Sequence, residues 1–276
     1  MDYLNGGISY SNIQFLKNGK KDYNYPKDTI IAQDTMFQTG GFVYNTSIWP
    51  AAFWVDVDQD GKKDIVISPT ADNVSENKKC FAWYRNTGTT TAPIYTYKGD
   101  SLFAAETIDM GTGSRPMLYD YDRDGKLDLF IGSDGFFTTS NGNLRAKLAY
   151  YRNTSTVGNP SFTLADDNFL NIYASNVRGA YPAVGDLDND GKDNLIVADA
   201  NGKISYYTDT AALSAPNPGW KLVTDTLRDE NNVAIDSTQF PMPFIYDMDG
   251  DGKKDLIIGS SAGWLYYYKN NGNSNS

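Results

Sequence analysis

Short apolar runs and acidic, polar turns alternate along this chain, and the alternation repeats. One apolar run precedes each of four acidic segments and another follows it, as Phe53 to Val55 and Ile65 to Ile67 flank the first. An aromatic run such as Phe81 to Asn86 comes next, and a weaker run such as Ile94 to Tyr97 closes the unit. Runs of this length, rich in β-branched and aromatic residues, are typical of strands. The pattern predicts four strands per repeated unit.

The two ends of the chain carry incomplete units. Ile13 to Gly19 resembles the third strand of a unit and Asp22 to Tyr25 resembles the fourth. The last unit stops after its third strand and a polar tail from Asn270. In a closed ring, Asp22 to Ile31 could supply the strand that the last unit lacks. We therefore expect either five units that close imperfectly or an excerpt of a longer ring.

Repeated four-stranded meanders avoid exposed edges by closing radially. The sequence therefore predicts an all-β fold, a β-propeller of four-stranded antiparallel blades, with four full repeats and a partial N-terminal blade. We expect one domain over residues 1–276. Its predicted parts are a partial blade at 1–45, blades at 46–110, 111–175 and 176–238, a blade without its fourth strand at 239–270, and a polar tail at 271–276.

The acidic segments share one nine-residue pattern, D-x-D-x-D-G-x-x-D, and begin at intervals of 64, 66 and 61 residues. The pattern places carboxylates at positions 1, 3, 5 and 9, lets the carbonyl of position 7 point inward, and uses glycine at position 6 for a sharp turn. Hard oxygen ligands in a flexible loop favour Ca²⁺ over Mg²⁺. We predict about four Ca²⁺ ions, one per loop. The predicted side-chain ligands are Asp56, Asp58, Asp60 and Asp64; Asp120, Asp122, Asp124 and Asp128; Asp186, Asp188, Asp190 and Asn194; and Asp247, Asp249, Asp251 and Asp255, with the carbonyl oxygens of Lys62, Lys126, Lys192 and Lys253 at position 7.

The third loop differs from the other three at position 9, where Asn194 offers a neutral amide. Asp193, at position 8, should point away from the ligands. We expect this loop to bind calcium more weakly.

Two other interpretations of the acidic loops are weaker. An EF-hand requires a bidentate glutamate at position 12, but the residues there are Ile67, Ile131, Val197 and Ile258. The same apolar position counts against a dockerin-like loop. The other interpretation is a set of metal-free acidic turns, but four clustered carboxylates repel one another without a cation, and the spacing recurs four times.

Composition and charge narrow the functional classes. The formal net charge is -10 and the isoelectric point is near 4.5, which disfavours attraction to nucleic acid or to an anionic membrane. No apolar run approaches the ~20 residues of a membrane-spanning helix. The absence of histidine excludes imidazole chemistry, and the single cysteine, Cys80, excludes an intrachain disulfide. Four Ca²⁺ ions would bring the formal charge to about -2, so we expect metal binding to be coupled to folding.

The repeated motif begins with an apolar run and continues with D-x-D-x-D-G-x-x-D-[LI]-x-[IV]. An aromatic strand and a turn such as Asn86-Thr87-Gly88 follow. This motif resembles the FG-GAP/VCBS repeat family. Units of that family are β-propeller blades in integrin α-subunit heads, certain fungal lectins and some polysaccharide lyases. The resemblance implies calcium in the hairpin between the first and second strands of each blade, on one face of the ring. It implies that ligands often bind on the other face or between blades. It does not imply one activity, because a fold does not determine function.

We expect a non-catalytic binding module, extracellular or at the cell surface, whose partner is a glycan or an extracellular protein. Exposed aromatic side chains would be the contact residues, stacking on sugar rings, and the candidates lie in the loops away from calcium. The candidate contact residues are Trp49, Arg115, Tyr181 and Phe240, together with the insertions Thr70 to Lys79 and Asp134 to Arg145. An extracellular location follows from calcium loops of modest affinity, which act at about 10⁻⁴ to 10⁻³ M in extracellular modules.

Two alternatives stay open at this point. One is a lyase-like enzyme that abstracts a proton beside a uronate carboxylate. With histidine absent, its base would be a Lys, Arg or Tyr, for example Arg115, Arg178 or Lys221. No catalytic constellation stands out in the sequence, and we therefore predict no catalytic residue. The other is a rigid spacer that lies beside further domains of a larger secreted protein.

Overall fold

The computed structural model describes residues 3–7, 11–35, 37, 45, 49–69, 78–105, 107–137, 143–235 and 240–272. The described chain is all-β, with five antiparallel sheets of three or four strands and one two-stranded hairpin. It divides into two compact units, one of Met1–Asp109 with Phe137–Gly142, and the other of Met110–Phe136 with Asn143–Ser276. Among the described residues, no helix has the length and apolar character needed to cross a lipid bilayer.

The first unit contains two sheets. The first sheet has the order β1-β2-β3, formed by β1 (Tyr3–Gly6), β2 (Ile13–Asn18) and β3 (Ile30–Asp34). The second has the order β4-β5-β6-β7, formed by β4 (Pro50–Val55), β5 (Asp64–Pro69), β6 (Ala82–Asn86) and β7 (Tyr95–Gly99). A short helix, α1 (Gly19–Asp22), follows β2.

The strand predicted at Ile13 to Gly19 is confirmed, but the strand predicted at Asp22 to Tyr25 is wrong. The Asn18 side chain accepts a hydrogen bond from the Lys20 N–H at 2.9 Å and so caps a helical turn directly after β2. The strand that pairs with β2 is Ile30–Asp34 instead. The sequence pattern also missed β1, because Tyr3 to Gly6 is too short and polar to resemble a buried strand.

The second unit contains three sheets. Its first sheet has the order β13-β12-β9-β8, from β8 (Arg115–Tyr119), β9 (Asp128–Gly132), β12 (Leu148–Asn153) and β13 (Phe162–Asp166). Its second comprises β14 (Tyr181–Gly185), β15 (Asn194–Ala198), β16 (Ile204–Asp209) and β17 (Trp220–Thr224). Its third comprises β18 (Met242–Tyr246), β19 (Asp255–Gly259) and β20 (Leu265–Tyr268). The hairpin of β10 (Phe136–Phe137) and β11 (Leu144–Arg145) precedes β12, and a 3-10 helix, Phe169–Ser175, follows β13.

Consecutive sheets of the second unit pack face to face. One core brings Phe130 and Leu148 of its first sheet against Leu195 and Trp220 of its second. Another joins the second sheet to the third through residues such as Ile196 and Ile258. The contact is close at Gly132, where an added Cβ would lie 1.7 Å from the carbonyl oxygen of Ala180.

Four-stranded antiparallel meanders that pack face to face in sequence are consistent with propeller blades, and the predicted all-β class is confirmed. The four apolar residues at position 12 of the loops lie in second strands and are buried, which excludes their use as EF-hand ligands. These residues are Ile67, Ile131, Val197 and Ile258. The last sheet has three strands within the described part of the chain.

Candidate metal centres

Each acidic loop joins the first and second strands of a sheet, as predicted. The loops lie between β4 and β5, β8 and β9, β14 and β15, and β18 and β19. In each hairpin, position 9 is the first residue of the second strand and pairs with the last residue of the first strand, as Asp128 pairs with Tyr119. The loop conformation is therefore fixed at both ends by the sheet.

Backbone hydrogen bonds to the first aspartate shape the loops. In the first loop, the Asp56 carboxylate accepts the N–H groups of Asp60 at 3.1 Å and Gly61 at 2.9 Å. The first aspartates of the second and third loops accept the equivalent pairs, and Asp247 of the fourth loop accepts the N–H groups of Gly250, at position 4, and Gly252. Glycine at position 6 has φ between +83° and +90° in the four loops, a conformation that side chains disfavour, and this confirms its predicted role.

Position 4 also lies in the left-handed region, which the sequence did not indicate. Gln59, Arg123 and Asn189 have φ of 57°, 55° and 56°, and Gly250 has φ of 77°. Asn189 and Gly250 tolerate this conformation, and these residue types were the available sequence signal for it. Gln59 and Arg123 adopt the same conformation at a cost in backbone free energy.

Three carboxylates in each loop converge on a volume suited to one cation. One ligand oxygen from each lies within 4.8 Å of the others. Two oxygens that bind one Ca²⁺ at about 2.3–2.6 Å lie at most about 5 Å apart, so the spacing fits. The clusters are Asp56, Asp58 and Asp60; Asp120, Asp122 and Asp128; Asp186, Asp188 and Asp190; and Asp247, Asp249 and Asp251.

The all-oxygen donor set also suits calcium, and one oxygen lacks any other partner. Oδ1 of Asp188 is inaccessible to solvent and makes no hydrogen bond within the described residues. A buried polar atom without a partner is costly. A cation in the third loop would satisfy this oxygen.

The carboxylate at position 9 connects its own strand to the acidic loop and to the third strand of the sheet. Asp128 is fully buried and accepts hydrogen bonds from the Tyr121 N–H at 3.1 Å, the Asn153 N–H at 2.7 Å and the Tyr150 hydroxyl at 3.2 Å. Asp64 and Asp255 are fully buried and accept the same kinds of bonds, from two backbone N–H groups and an aromatic side chain.

This arrangement assigns position 9 a structural role in addition to any role as a ligand. Among the residues at position 9, Asp128 belongs to a three-carboxylate cluster, whereas Asp64, Asn194 and Asp255 lie outside the clusters. Asp124, at position 5 of the second loop, also lies outside its cluster. Their metal ligation, and that of the position 7 carbonyls, stays a prediction. Hydrogen bonds from the N–H groups of Asn270 and Met248 outweigh the opposing effect of burial and hold the pKa of Asp255 below its ordinary value.

Asn194 reproduces part of this structural role with a neutral amide. Its Oδ1 accepts the Leu187 N–H at 2.7 Å, and its Nδ2 donates to Oδ2 of Asp188 at 3.2 Å. Tyr206, which stands where the other blades place the aromatic donor to position 9, donates its hydroxyl to Asp188 at 3.0 Å. The third loop therefore keeps its hairpin without a charge at position 9.

A basic residue near the end of the third strand faces three of the loops, a feature that the sequence analysis missed. Arg85 contacts Asp58 at 2.5 Å and Asp60 at 3.3 Å, and Arg152 contacts Asp122 at 2.5 Å and Asp124 at 3.7 Å. Lys269 pairs with Asp249 and Asp251 in the fourth loop. The available signal was an Arg or Lys before Asn at the end of three of the four aromatic runs.

The third loop has Thr208 at this strand position and so lacks that cation. Burial raises the pKa of Asp186, and the carboxylates of Asp188 and Asp190 add to the effect. In the second loop, by contrast, the backbone N–H of Lys126 lowers the pKa of Asp124. Lys192 approaches Asp190 only to 3.9 Å, whereas each of the other loops has a basic side chain within 3.3 Å of a carboxylate. The weaker calcium binding predicted for the third loop stays a prediction.

The structure brings two of the predicted partner-binding residues together. The guanidinium of Arg115 lies over the ring of Tyr181 at 5.5 Å, within the second unit. Tyr181 is only 1% exposed and donates its hydroxyl to Asp134 at 2.7 Å, so it supports Arg115 and presents little surface of its own.

Phe240 lies under the guanidinium of Arg178, which is 4.8 Å from its ring. Trp49 belongs to the first unit and is 45% exposed. Of the two insertions proposed as contact segments, residues 70–77 and 138–142 lie outside the described residues. Whether these side chains bind a partner stays a prediction.

Comparison with known protein families supports the resemblance seen in the motifs. The FG-GAP-like repeat model matches residues 56–131 and again residues 120–197, which together span just over half of the chain. The chain therefore belongs to the FG-GAP-like repeat family. Its fourth loop, Asp247 to Asp255, lies beyond the matched residues but has the same cluster and the same buried position 9. Comparison with curated proteins gave no match.

Proposed function

We propose that this chain is a calcium-stabilised, non-catalytic binding module that works outside the cell on a glycan or protein partner. The observation that supports it is the recurrence of three carboxylates within 4.8 Å at four equivalent hairpins. In a chain with a net charge of -10, such clusters oppose folding unless cations fill them. Extracellular calcium concentrations are sufficient to fill loops of modest affinity.

The calcium ions have a structural role in this proposal. Each loop begins and ends in paired strands, so an ion held by three carboxylates would fix the loop that connects the first strand to the second. Partner binding is then assigned to side chains away from the loops, where Arg115 and Arg178 are held over aromatic rings.

Thermal unfolding and calorimetry of the whole chain test the metal part of the proposal. We expect Ca²⁺ to raise the melting temperature strongly, Mg²⁺ to raise it less, and a chelator to reverse both effects. Asp249→Asn should reduce the number of bound ions by one, whereas Glu230→Gln, which removes an exposed charge outside the loops, should not. A melting curve that is indifferent to calcium and chelator would refute the proposal.

A glycan array probed with and without chelator tests the binding part. Calcium-dependent retention of a glycan without chemical change is the expected result. Formation of unsaturated uronate products would instead support the lyase alternative, and the absence of both binding and turnover would support the spacer.

A further inference from the structure

Several basic side chains lie together at the end of the second unit opposite its acidic loops. Strand β8 runs from Arg115 to Tyr119 and then enters the second acidic loop, and β9 returns from Asp128 to Gly132. Five-residue strands are about 15 Å long, so Arg115 and the residues after Gly132 lie roughly that far from the carboxylates. The same argument places the start of β14 and the start of β18 at this end.

Four basic side chains at this end lie over aromatic rings. We call Arg115, Arg145, Lys147 and Arg178 the basic cluster. Arg115 lies 5.5 Å from the ring of Tyr181 and Arg178 lies 4.8 Å from that of Phe240. Arg145 lies 5.4 Å from the ring of Tyr173, and Lys147 lies 5.3 Å and 5.6 Å from the rings of Phe136 and Tyr173.

Backbone hydrogen bonds hold the cluster together. The Ala146 N–H donates to the Val177 carbonyl at 2.9 Å, which brings the segment with Arg145 and Lys147 beside the segment with Arg178. The N–H groups of Gly179 and Ala180 then donate to the carbonyls of Asp134 and Ser133. The basic residues therefore project from a connected framework.

The charges of the cluster are only partly neutralised. Lys147 pairs with Asp167 at 2.9 Å, and Arg115 lies 3.9 Å from Asp134. Arg145 and Arg178 have no carboxylate partner among the described residues. Phe240 and Tyr173 already orient these two guanidinium groups, so less conformational entropy is lost when they bind an anion.

We propose that the basic cluster binds the carboxylates of an acidic glycan built from uronate sugars, an inference that rests on the proposed binding function. A guanidinium matches a carboxylate in a bidentate geometry, and each uronate ring carries one carboxylate. Guanidinium groups that project separately from this end of the second unit can each pair with one of the single charges spaced along a sugar chain.

Calorimetric titration of the calcium-saturated chain with tetragalacturonate, and with its methyl ester as the neutral match, tests this inference. We expect binding of the acid and little binding of the ester. Arg178→Gln and Arg145→Gln should each weaken binding about tenfold through loss of a charge-assisted pair. Lys98→Gln removes the same charge from an exposed site on β7 of the first unit and should change the affinity less than about twofold.

Asp134→Asn provides a gain of affinity as a further check. The amide oxygen still accepts the Tyr181 hydroxyl, while the negative charge near Arg115 is removed. We expect binding about threefold tighter. A loss of affinity would overturn the role of Arg115, and melting curves in calcium verify that each variant is folded.

The remaining outcomes separate this inference from the proposed function. If calcium raises the melting temperature but tetragalacturonate does not bind, the inference fails and the calcium-stabilised module stands. If the acid binds equally to the arginine variants and the native chain, it binds elsewhere, for example through loop calcium, and the inference also fails. Equal binding of the methyl ester, or tighter binding of single-stranded DNA, would overturn it as well. If calcium has no effect on stability, the proposed function fails first.

Discussion

Removal of the Asp128 carboxylate tests whether position 9 holds its sheet together independently of calcium. In Asp128→Ala, the N–H groups of Tyr121 and Asn153 and the hydroxyl of Tyr150 lose their shared acceptor. These bonds connect β9 to the loop and to β12, and Asp128 is fully buried. The variant therefore removes three connections at one point.

The loss in free energy of unfolding follows from those three bonds. A buried donor left without an acceptor costs about 1–3 kcal/mol. The two N–H groups are only partly buried and can recruit water, so we take about 1 kcal/mol for each and about 1–3 kcal/mol for the buried Tyr150 hydroxyl. The sum is about 3–5 kcal/mol, a large part of the about 5–15 kcal/mol that holds an ordinary domain. Asp128→Asn keeps one acceptor oxygen and should cost about half as much.

Urea unfolding in chelator and in saturating calcium separates the two roles of the residue. We expect Asp128→Ala to destabilise the chain in chelator by nearly the full amount, with an additional loss in calcium. The matched control is Asp122→Asn in the same loop, where the carboxylate faces Arg152 and supports fewer backbone contacts. It should change stability little in chelator and should lose most of the stabilisation that calcium gives at this loop.

A loss below about 1 kcal/mol for Asp128→Ala in chelator would refute the structural role, since it is smaller than the cost of one buried donor. Equal behaviour of Asp128→Ala and Asp122→Asn in both conditions would refute the distinction between the two positions.

Four further predictions follow from the structure. Calcium at a hundredfold excess over the Kd of a loop should stabilise the fold by about 2.7 kcal/mol per site, and a chelator should lower the melting temperature accordingly. Gly125→Ala should cost about 1–2 kcal/mol of unfolding free energy because φ is +87°, although no atom lies within 4 Å of the added methyl. Gly132→Ala should cost about 3 kcal/mol because the added methyl meets the Ala180 carbonyl. Urea unfolding measures both losses, and a smaller loss for Gly132→Ala than for Gly125→Ala would contradict the close packing of the sheets. Burial raises the pKa of Tyr97 to about 12. Because the unfolded phenol has a pKa of ~10, the neutral Tyr97 side chain contributes its full stabilisation below pH ~10 and loses it as the pH rises through about 12. Tyrosinate absorbance during alkaline unfolding measures this loss, with Tyr97→Phe as the control. Arg152→Gln removes the cation beside Asp122, so it should lower the melting temperature in chelator and enlarge the increase in melting temperature that calcium causes. An unchanged response to calcium would show that the Arg152–Asp122 pair does not compete with the metal.

Much of the fold could be predicted because it is encoded in local, repeated patterns. The strands around the first loop and the aromatic strand Ala82–Asn86 lie where the apolar runs predict them, since side-chain type and spacing act within a few residues. The failure at Asp22 to Tyr25 has an equally local cause, because the Asn18 side chain caps a helical turn that no hydrophobic pattern announces.

The candidate sites could be predicted less completely. The clustered carboxylates were identified because nearby positions of one loop supply them, at positions 1, 3 and 5 in the first, third and fourth loops and at positions 1, 3 and 9 in the second. Arg152 lies 30 residues from Asp122, and its approach to that carboxylate depends on the pairing of β12 with β9. Contacts that depend on strand pairing across such distances are invisible to a reading of spacing.

The sequence by itself determined the repeat, the all-β class, the position of the acidic hairpins and the oxygen character of their ligands, because each depends on residue types at short and regular separations. Tertiary structure alone decided that position 9 is buried beneath three donors, that basic residues of the third strand face the loops, and that Arg115, Arg145 and Arg178 gather at one end of the second unit. The physical reason is that burial and charge pairing depend on which strands become neighbours, and that choice is made by the packed sheets as a whole.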